Sequence, residues 1–175
     1  MGRRGIGQRI RTIATTWSRR LRVAGLLVLS VVLVLVVPST ASADSDWVAP
    51  VNAPIWGGFK EPAYHHGVDL GAARYVPIRA ASAGTVIVKK CNASLNGQPY
   101  SCDIDGSPQV LGCGWYVDIA HAGGIVTRYC HMVSEPLVNV GYKVETGQRL
   151  GYVGSSGNSS APHLHFEVHI VAEGD

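Results

Sequence analysis

The chain has 175 residues, 46% of them apolar and 15% charged, with a mean hydropathy of +0.14. That length fits one domain, and the composition excludes a disordered, charge-rich polymer. The net charge of +3 is segregated: residues 1–43 carry seven arginines and no acidic residue, leaving 8 basic residues against all 12 acidic ones. A nucleic-acid binder keeps its basic excess in the folded part, so no nucleic-acid partner is expected.

The first predicted element is an export signal. Residues 23–37 (VAGLLVLSVVLVLVV) form an uncharged apolar run, preceded by arginines and followed by Pro38 and the small residues of 39–43. A basic segment, an apolar segment and Ala41-Ser42-Ala43 predict a signal peptide over 1–43, a mature N-terminus at Asp44 and one domain over 44–175. Fifteen helical residues span roughly 22 Å, short of the roughly 30 Å hydrocarbon core; a membrane contact arises only if this segment is retained. The protein is thus expected to be secreted or held in the cell envelope. Ser18-Arg19-Arg20 leaves the export route open between the general and the twin-arginine pathways.

After Ala43 alternating patterns dominate over helical ones, which predicts an all-β, antiparallel domain. Two Phe and 21 Gly agree with short strands and many turns. In residues 64–70 (YHHGVDL), His65, Gly67 and Asp69 share one face of an extended segment, and Gly67 is expected to leave room for an ion. Residues 85–89 (TVIVK) read as a strand. Residues 91–113 are rich in turn formers and read as a surface loop held by disulfides. Four cysteines in an exported domain predict two disulfides, with three possible connectivities. The spacings are wider than the C-x₂₋₄-C pairs of a structural zinc site. The local pairing Cys91–Cys102 with Cys113–Cys130 is preferred, because the first pair closes a short loop.

Residues 115–122 (WYVDIAHA) and 125–132 (IVTRYCHM) flank Gly123-Gly124, a hairpin signature. The final predicted strand covers 163–170 (HLHFEVHI). Leu164, Phe166, Val168 and Ile170 point to the core, and His163, His165, Glu167 and His169 to the other face.

The histidines carry the chemistry. Two imidazoles and one carboxylate form a usual ligand set for catalytic zinc and leave a fourth position for water; the same set also suits non-haem iron. Asp69 lies near His65 and His66, while His163 and His165 form an i, i+2 pair and His131 ends a strand. No H-E-x-x-H and no G-x-S-x-G occurs, which excludes a helical zincin and a serine nucleophile elbow.

The series His65-x-Gly67-x-Asp69, Tyr129-x-His131 and Gly157-x-Ser159-x-x-Pro162-His163-Leu164-His165-Phe166-Glu167 resembles the lysostaphin- and LytM-like zinc metallopeptidases, as does the glycine-punctuated hairpin over 141–154. The resemblance covers roughly residues 50–170 and implies the compact antiparallel LytM-like (duplicated hybrid motif) fold. It also implies one Zn²⁺ per chain on His65, Asp69 and His165, with His131 and His163 catalytic, and leaves open which of the two is the general base. The implied activity is a secreted, monomeric zinc endopeptidase acting on the peptides of bacterial peptidoglycan. Which bond it cuts stays open. The alternative is a catalytically inactive module of the same fold that binds the wall or activates another hydrolase. Three departures stand out: the long, cysteine-rich 91–113 segment, Ala161 where glycine is common, and a chain end at Asp175 that leaves one edge thin.

Overall fold

The computed structural model describes residues 47–60 and 64–170. The expected signal peptide and its cleavage site lie outside these residues. Eleven strands follow in chain order: β1 (Ile55–Gly57), β2 (Val68–Leu70), β3 (Pro77–Arg79), β4 (Gly84–Cys91), β5 (Ser94–Leu95), β6 (Gln98–Pro99), β7 (Trp115–Ala120), β8 (Ile125–Met132), β9 (Lys143–Val144), β10 (Arg149–Tyr152) and β11 (Leu164–Ile170). Seven of them make one open antiparallel sheet in the order β1-β2-β11-β8-β7-β4-β9. The all-β expectation holds among the described residues, where the one helical element is a 3₁₀ turn over Ala122–Gly124.

The core lies on one face of this sheet. Val117 and Ile119 of β7 and Tyr129 and Met132 of β8 are fully buried there. The two-stranded β3–β10 pair covers them, contributing Ile78 and Leu150 to the same cluster. Each such aliphatic side chain stabilises the fold by roughly 1.5–3 kcal/mol through burial. Several polar groups in this layer are paired in a chain: the Ala81 N–H donates to the Tyr129 hydroxyl (2.8 Å), which lies 2.9 Å from Thr127 Oγ1. Thr127 Oγ1 is in turn 2.7 Å from His121 Nε2, and His121 Nδ1 donates to the Ala83 carbonyl (2.8 Å). His121 therefore closes a structural chain on the face away from the other histidines.

Several expectations change. The β7–β8 connection is four residues, His121–Gly124, closed by the His121 N–H on the Ile125 carbonyl (2.8 Å), with φ of +73° and +69° at Gly123 and Gly124. A two-residue Gly-Gly turn would pair Asp118 with Tyr129; the observed register pairs Asp118 with Arg128. A slip of one residue exchanges the two faces, and here it sets opposite charges across from each other. The 141–154 segment is not a self-paired hairpin: β9 joins β4 of the large sheet, while β10 pairs with β3. On β11 only Leu164 and Phe166 reach the core; Val168 (55% exposed) and Ile170 (84%) do not. The 91–113 segment is not a free surface loop. It contains the β5–β6 pair, has its own small cluster of Ala93, Cys102 and Val110, and packs on the 155–158 loop.

Candidate metal centre

β2 and β11 are neighbours, and their register sets His165 directly opposite Asp69. His65 precedes β2 and folds back over the pair. Three atoms converge: His65 Nε2 lies 3.1 Å from Asp69 Oδ1 and 3.0 Å from His165 Nδ1, and His165 Nδ1 lies 2.9 Å from Asp69 Oδ1. These are the ligand atoms of the three-residue group in which His65, Asp69 and His165 could hold a metal ion.

The protons of both imidazoles are assigned by what lies behind them. His65 Nδ1 donates to the Gly58 carbonyl (2.7 Å) and His165 Nε2 to Glu167 Oε1 (2.9 Å). With a metal bound, their inward nitrogens would therefore be the ones to offer lone pairs, beside a carboxylate oxygen. Such a triangle calls for a cation. Its edges are close to the roughly 3.3 Å edge of a tetrahedron with ligand bonds of ~2.0–2.1 Å. An imidazole backed by a carboxylate is also the usual outer arrangement of a zinc ligand.

Electrostatics follow. Burial would raise the Asp69 carboxyl, but the imidazoles of His163, His165 and His65 hold it well below the usual carboxylate range. Burial would lower His165, yet hydrogen bonds to Asp69 and Glu167 push it up to about 9 in the metal-free protein. Glu167, which burial alone would raise, is brought down to about 2 by His165, His169 and Arg128.

Glycines shape the site, although not as the spacing suggests. A Cβ on Gly67 would lie 2.4 Å from the Phe166 carbonyl and 3.0 Å from His165 Cε1, so Gly67 admits β11 rather than an ion. Gly57 of β1 is the residue beside the carboxylate: a Cβ there would meet Asp69 Oδ2 at 2.8 Å.

Two further imidazoles border the cluster. The His163 Nδ1–H goes to the Ala161 carbonyl (2.8 Å), which turns Nε2 toward Asp69 Oδ1 at 3.4 Å. His131 is 5% exposed, its ring 4.7 Å from that of His163 and 5.8 Å from that of His165. Its Nδ1–H goes to the Ser156 carbonyl (2.7 Å), and burial lowers its pKa to about 3, with the nearby His163 adding to the effect.

Regular alternation along β8 would turn His131 into the core with Tyr129. Instead β8 takes three steps from Tyr129 to Met132 where β7 takes two from Val117 to Trp115, a one-residue bulge. His131 has φ +63° there and points with Cys130 away from the core. Bulges re-aim side chains beside active sites in this way.

The cleft above these groups has a volume of about 810 Å³, and Tyr64, His66, Asn92, Pro108 and Gly112 are among the residues that line it. His66 lies outside the ligand cluster, and His169 touches it through Glu167 Oε2 (2.6 Å).

Sequence reasoning missed a row of charges. Asp118, Arg128 and Glu167 lie side by side across β7, β8 and β11. Arg128 gives Asp118 two hydrogen bonds of 2.8 Å and stands 3.7 Å from Glu167. The signal for Glu167 was its i+2 spacing from His165; the signal for the other two was masked by the hairpin register. Cys113, Cys130 and Glu167 also come together, but the two sulfurs are bonded to each other and the carboxylate is already engaged. Both expected disulfides are present, Cys91–Cys102 and Cys113–Cys130.

An antiparallel sheet that presents a His-Asp-His cluster below two more imidazoles defines the class, a candidate metal site in an open cleft. Residues 63–174 match the model of peptidase family M23, and the chain belongs to that family. It is 33% identical over 109 residues to the peptidoglycan DD-endopeptidase ShyA of Vibrio cholerae, an alignment covering 62% of this chain and 21% of that protein. The chain spans about a fifth of the length of the curated relatives it matches. Among solved structures, a peptidase M23 of Pseudomonas aeruginosa superposes with a TM-score of 0.54 at 28% identity, over 70% of this chain and 44% of that one. A zinc-containing peptidase of Vibrio cholerae gives 0.53 at 29%, over 69% and 35%.

Proposed function

We propose that this protein is a secreted or cell-envelope zinc endopeptidase that hydrolyses peptide bonds of bacterial peptidoglycan. The observation that carries the reading is the convergence of His65 Nε2, Asp69 Oδ1 and His165 Nδ1, with their outward protons already committed. The relatives named as peptidoglycan DD-endopeptidases support the substrate class.

His65, Asp69 and His165 would hold the zinc. Bound there, zinc supplies a Lewis acid for the scissile carbonyl and lowers the pKa of water. The chain's own residues handle the protons. His163 and His131 each have Nδ1–H tied to a backbone carbonyl, which leaves Nε2 of each as the nitrogen turned to the site. One of the two takes a proton from the attacking water and returns it to the leaving amine; burial, which lowers His131, favours His163 in that role. Once protonated, that imidazole can also donate to the developing oxyanion. Asp118 and Arg128 brace Glu167, which orients His165.

Digestion of defined peptidoglycan by the zinc-loaded protein, followed by mass spectrometry of the soluble fragments, tests this reading. New amine and carboxyl ends at peptide bonds, lost on chelation and restored by zinc, are expected. A fully zinc-loaded protein that binds peptidoglycan and releases no fragment is instead the inactive wall-binding module.

A further inference from the structure

We infer that the Cys113–Cys130 disulfide is a positioning device for His131, holding its backbone in the conformation that turns the imidazole out of the core and into the cleft. The inference rests on the proposed function only for what His131 does there; the positioning itself is read from the structure.

A histidine at φ +63° adopts a conformation that L side chains rarely take. Left to itself, the strand would relax toward regular alternation and carry His131 to the Tyr129 side. Three constraints oppose this. The His131 N–H donates to the Cys113 carbonyl (2.9 Å), and the Gly154 N–H donates to the His131 carbonyl (3.0 Å). The ring is held by the Ser156 carbonyl. The first constraint depends on where Cys113 sits, and the disulfide ties Cys113 to Cys130, the residue next to His131.

Cys113 lies between Gly112 (φ +91°) and Gly114 (φ +70°) at the end of the long excursion. The carbonyls of these glycines accept the Asn158 N–H (2.8 Å) and the Asn92 N–H (3.2 Å), and the disulfide adds the one tie made by the Cys113 side chain itself. A Cβ on Gly114 would come within 2.2 Å of Ser156 Oγ, so the same glycine lets the excursion approach the loop that receives the His131 ring. The disulfide thus ties the acceptor of the His131 amide directly to the residue beside His131. Cys91–Cys102 lies in the other half of the excursion and touches neither His131 nor its partners.

The test is amide hydrogen exchange by NMR, joined to steady-state kinetics, on the zinc-loaded C113S/C130S protein with C91S/C102S as control. The expected result is exchange at the His131 amide faster by at least about tenfold, with the Val86 amide, bonded to Tyr142 (2.9 Å), unchanged. Zinc content stays at one per chain, KM moves less than about twofold, and kcat falls at least about tenfold. C91S/C102S keeps His131 protected.

Should C113S/C130S not fold, folded C91S/C102S protein is reduced by a trialkylphosphine, which supplies the two electrons and leaves two thiols, and the same readings are taken. A His131 amide that stays as protected as Val86 after loss of the bond overturns the inference. So does an equal loss of protection at both amides, which would mark a merely global effect. A wild-type protein that cuts no peptidoglycan counts against the proposed function, and the exchange readings then decide this inference alone.

Discussion

At the scale of single residues, the proposed site separates groups that would hold a cation from groups that would handle protons. Replacing His65, Asp69 or His165 by Ala is expected to strip zinc and abolish peptidoglycan cleavage, with some loss of stability because bound metal stabilises the folded state. Replacing His131 or His163 by Ala is expected to leave about one zinc per chain while kcat falls on the order of 10²-fold or more. Metal analysis and kinetics on the five variants check this. His66→Ala, outside the ligand cluster, should keep its zinc. A second prediction concerns pH. With His165 raised to about 9, its proton must leave before zinc binds. Zinc affinity is therefore expected to rise about tenfold per pH unit up to about 9, then level off. In the metal-free protein the sign is the opposite. A raised pKa gives stability that is complete below the ordinary histidine value and is lost as pH rises through about 9. Calorimetric zinc titration across pH and thermal unfolding of apo-protein measure the two effects.

At the scale of elements, the site is a property of strand pairing. β11 carries His165 and Glu167 on one face, β2 sets Asp69 opposite His165, and β8 and β7 add Arg128 and Asp118 in the same row. Removing the carboxylate at the β11 end of the row is expected to weaken zinc without unfolding the sheet. Glu167→Ala should raise the zinc Kd by about 10–100-fold, as loss of an outer partner of a ligand does. Competition with a chelator of known affinity reads it directly. The closeness of β2 and β11 rests on Gly67, where any side chain would meet the Phe166 carbonyl. Gly67→Ala is expected to cost about 1–3 kcal/mol by overpacking and to loosen zinc, because the strands that part carry its ligands. Denaturant unfolding with and without zinc separates the two losses.

At the scale of the whole molecule, the two disulfides compensate for a modest core and a long excursion. Their sequence separations are 11 and 17 residues. Closing loops of that size stabilises a domain by roughly 3 kcal/mol each. The exported protein is expected to show no free thiol in non-reducing denaturant, and reduction should lower the unfolding midpoint. Thiol titration and a denaturation curve with and without reductant check both. Export itself is a further prediction: the secreted protein should begin at Asp44 and sediment as a monomer, which N-terminal sequencing and ultracentrifugation test.

The sequence alone carried the proposed chemistry. Residue types and local spacings carry the export pattern, the even cysteine count, the alternation of β11 and the three motifs whose family resemblance implies the ligand set. Each depends on neighbours a few positions apart, where strand period and ligand chemistry act directly. What depends on distant segments meeting was decided by the tertiary structure. The four-residue β7–β8 turn moved the register by one and created the Asp118–Arg128 pair. The bulge at Cys130 and His131 broke the alternation that would have buried the imidazole in the core. Gly67, read as space for an ion, proved to be space for a strand. A strand's period fixes which face a residue belongs to only while the period runs unbroken. Turn length and bulges interrupt it, and the bulge at His131 is held by the Cys113 carbonyl, the Ser156 carbonyl and the Gly154 amide, up to 25 residues away in the chain.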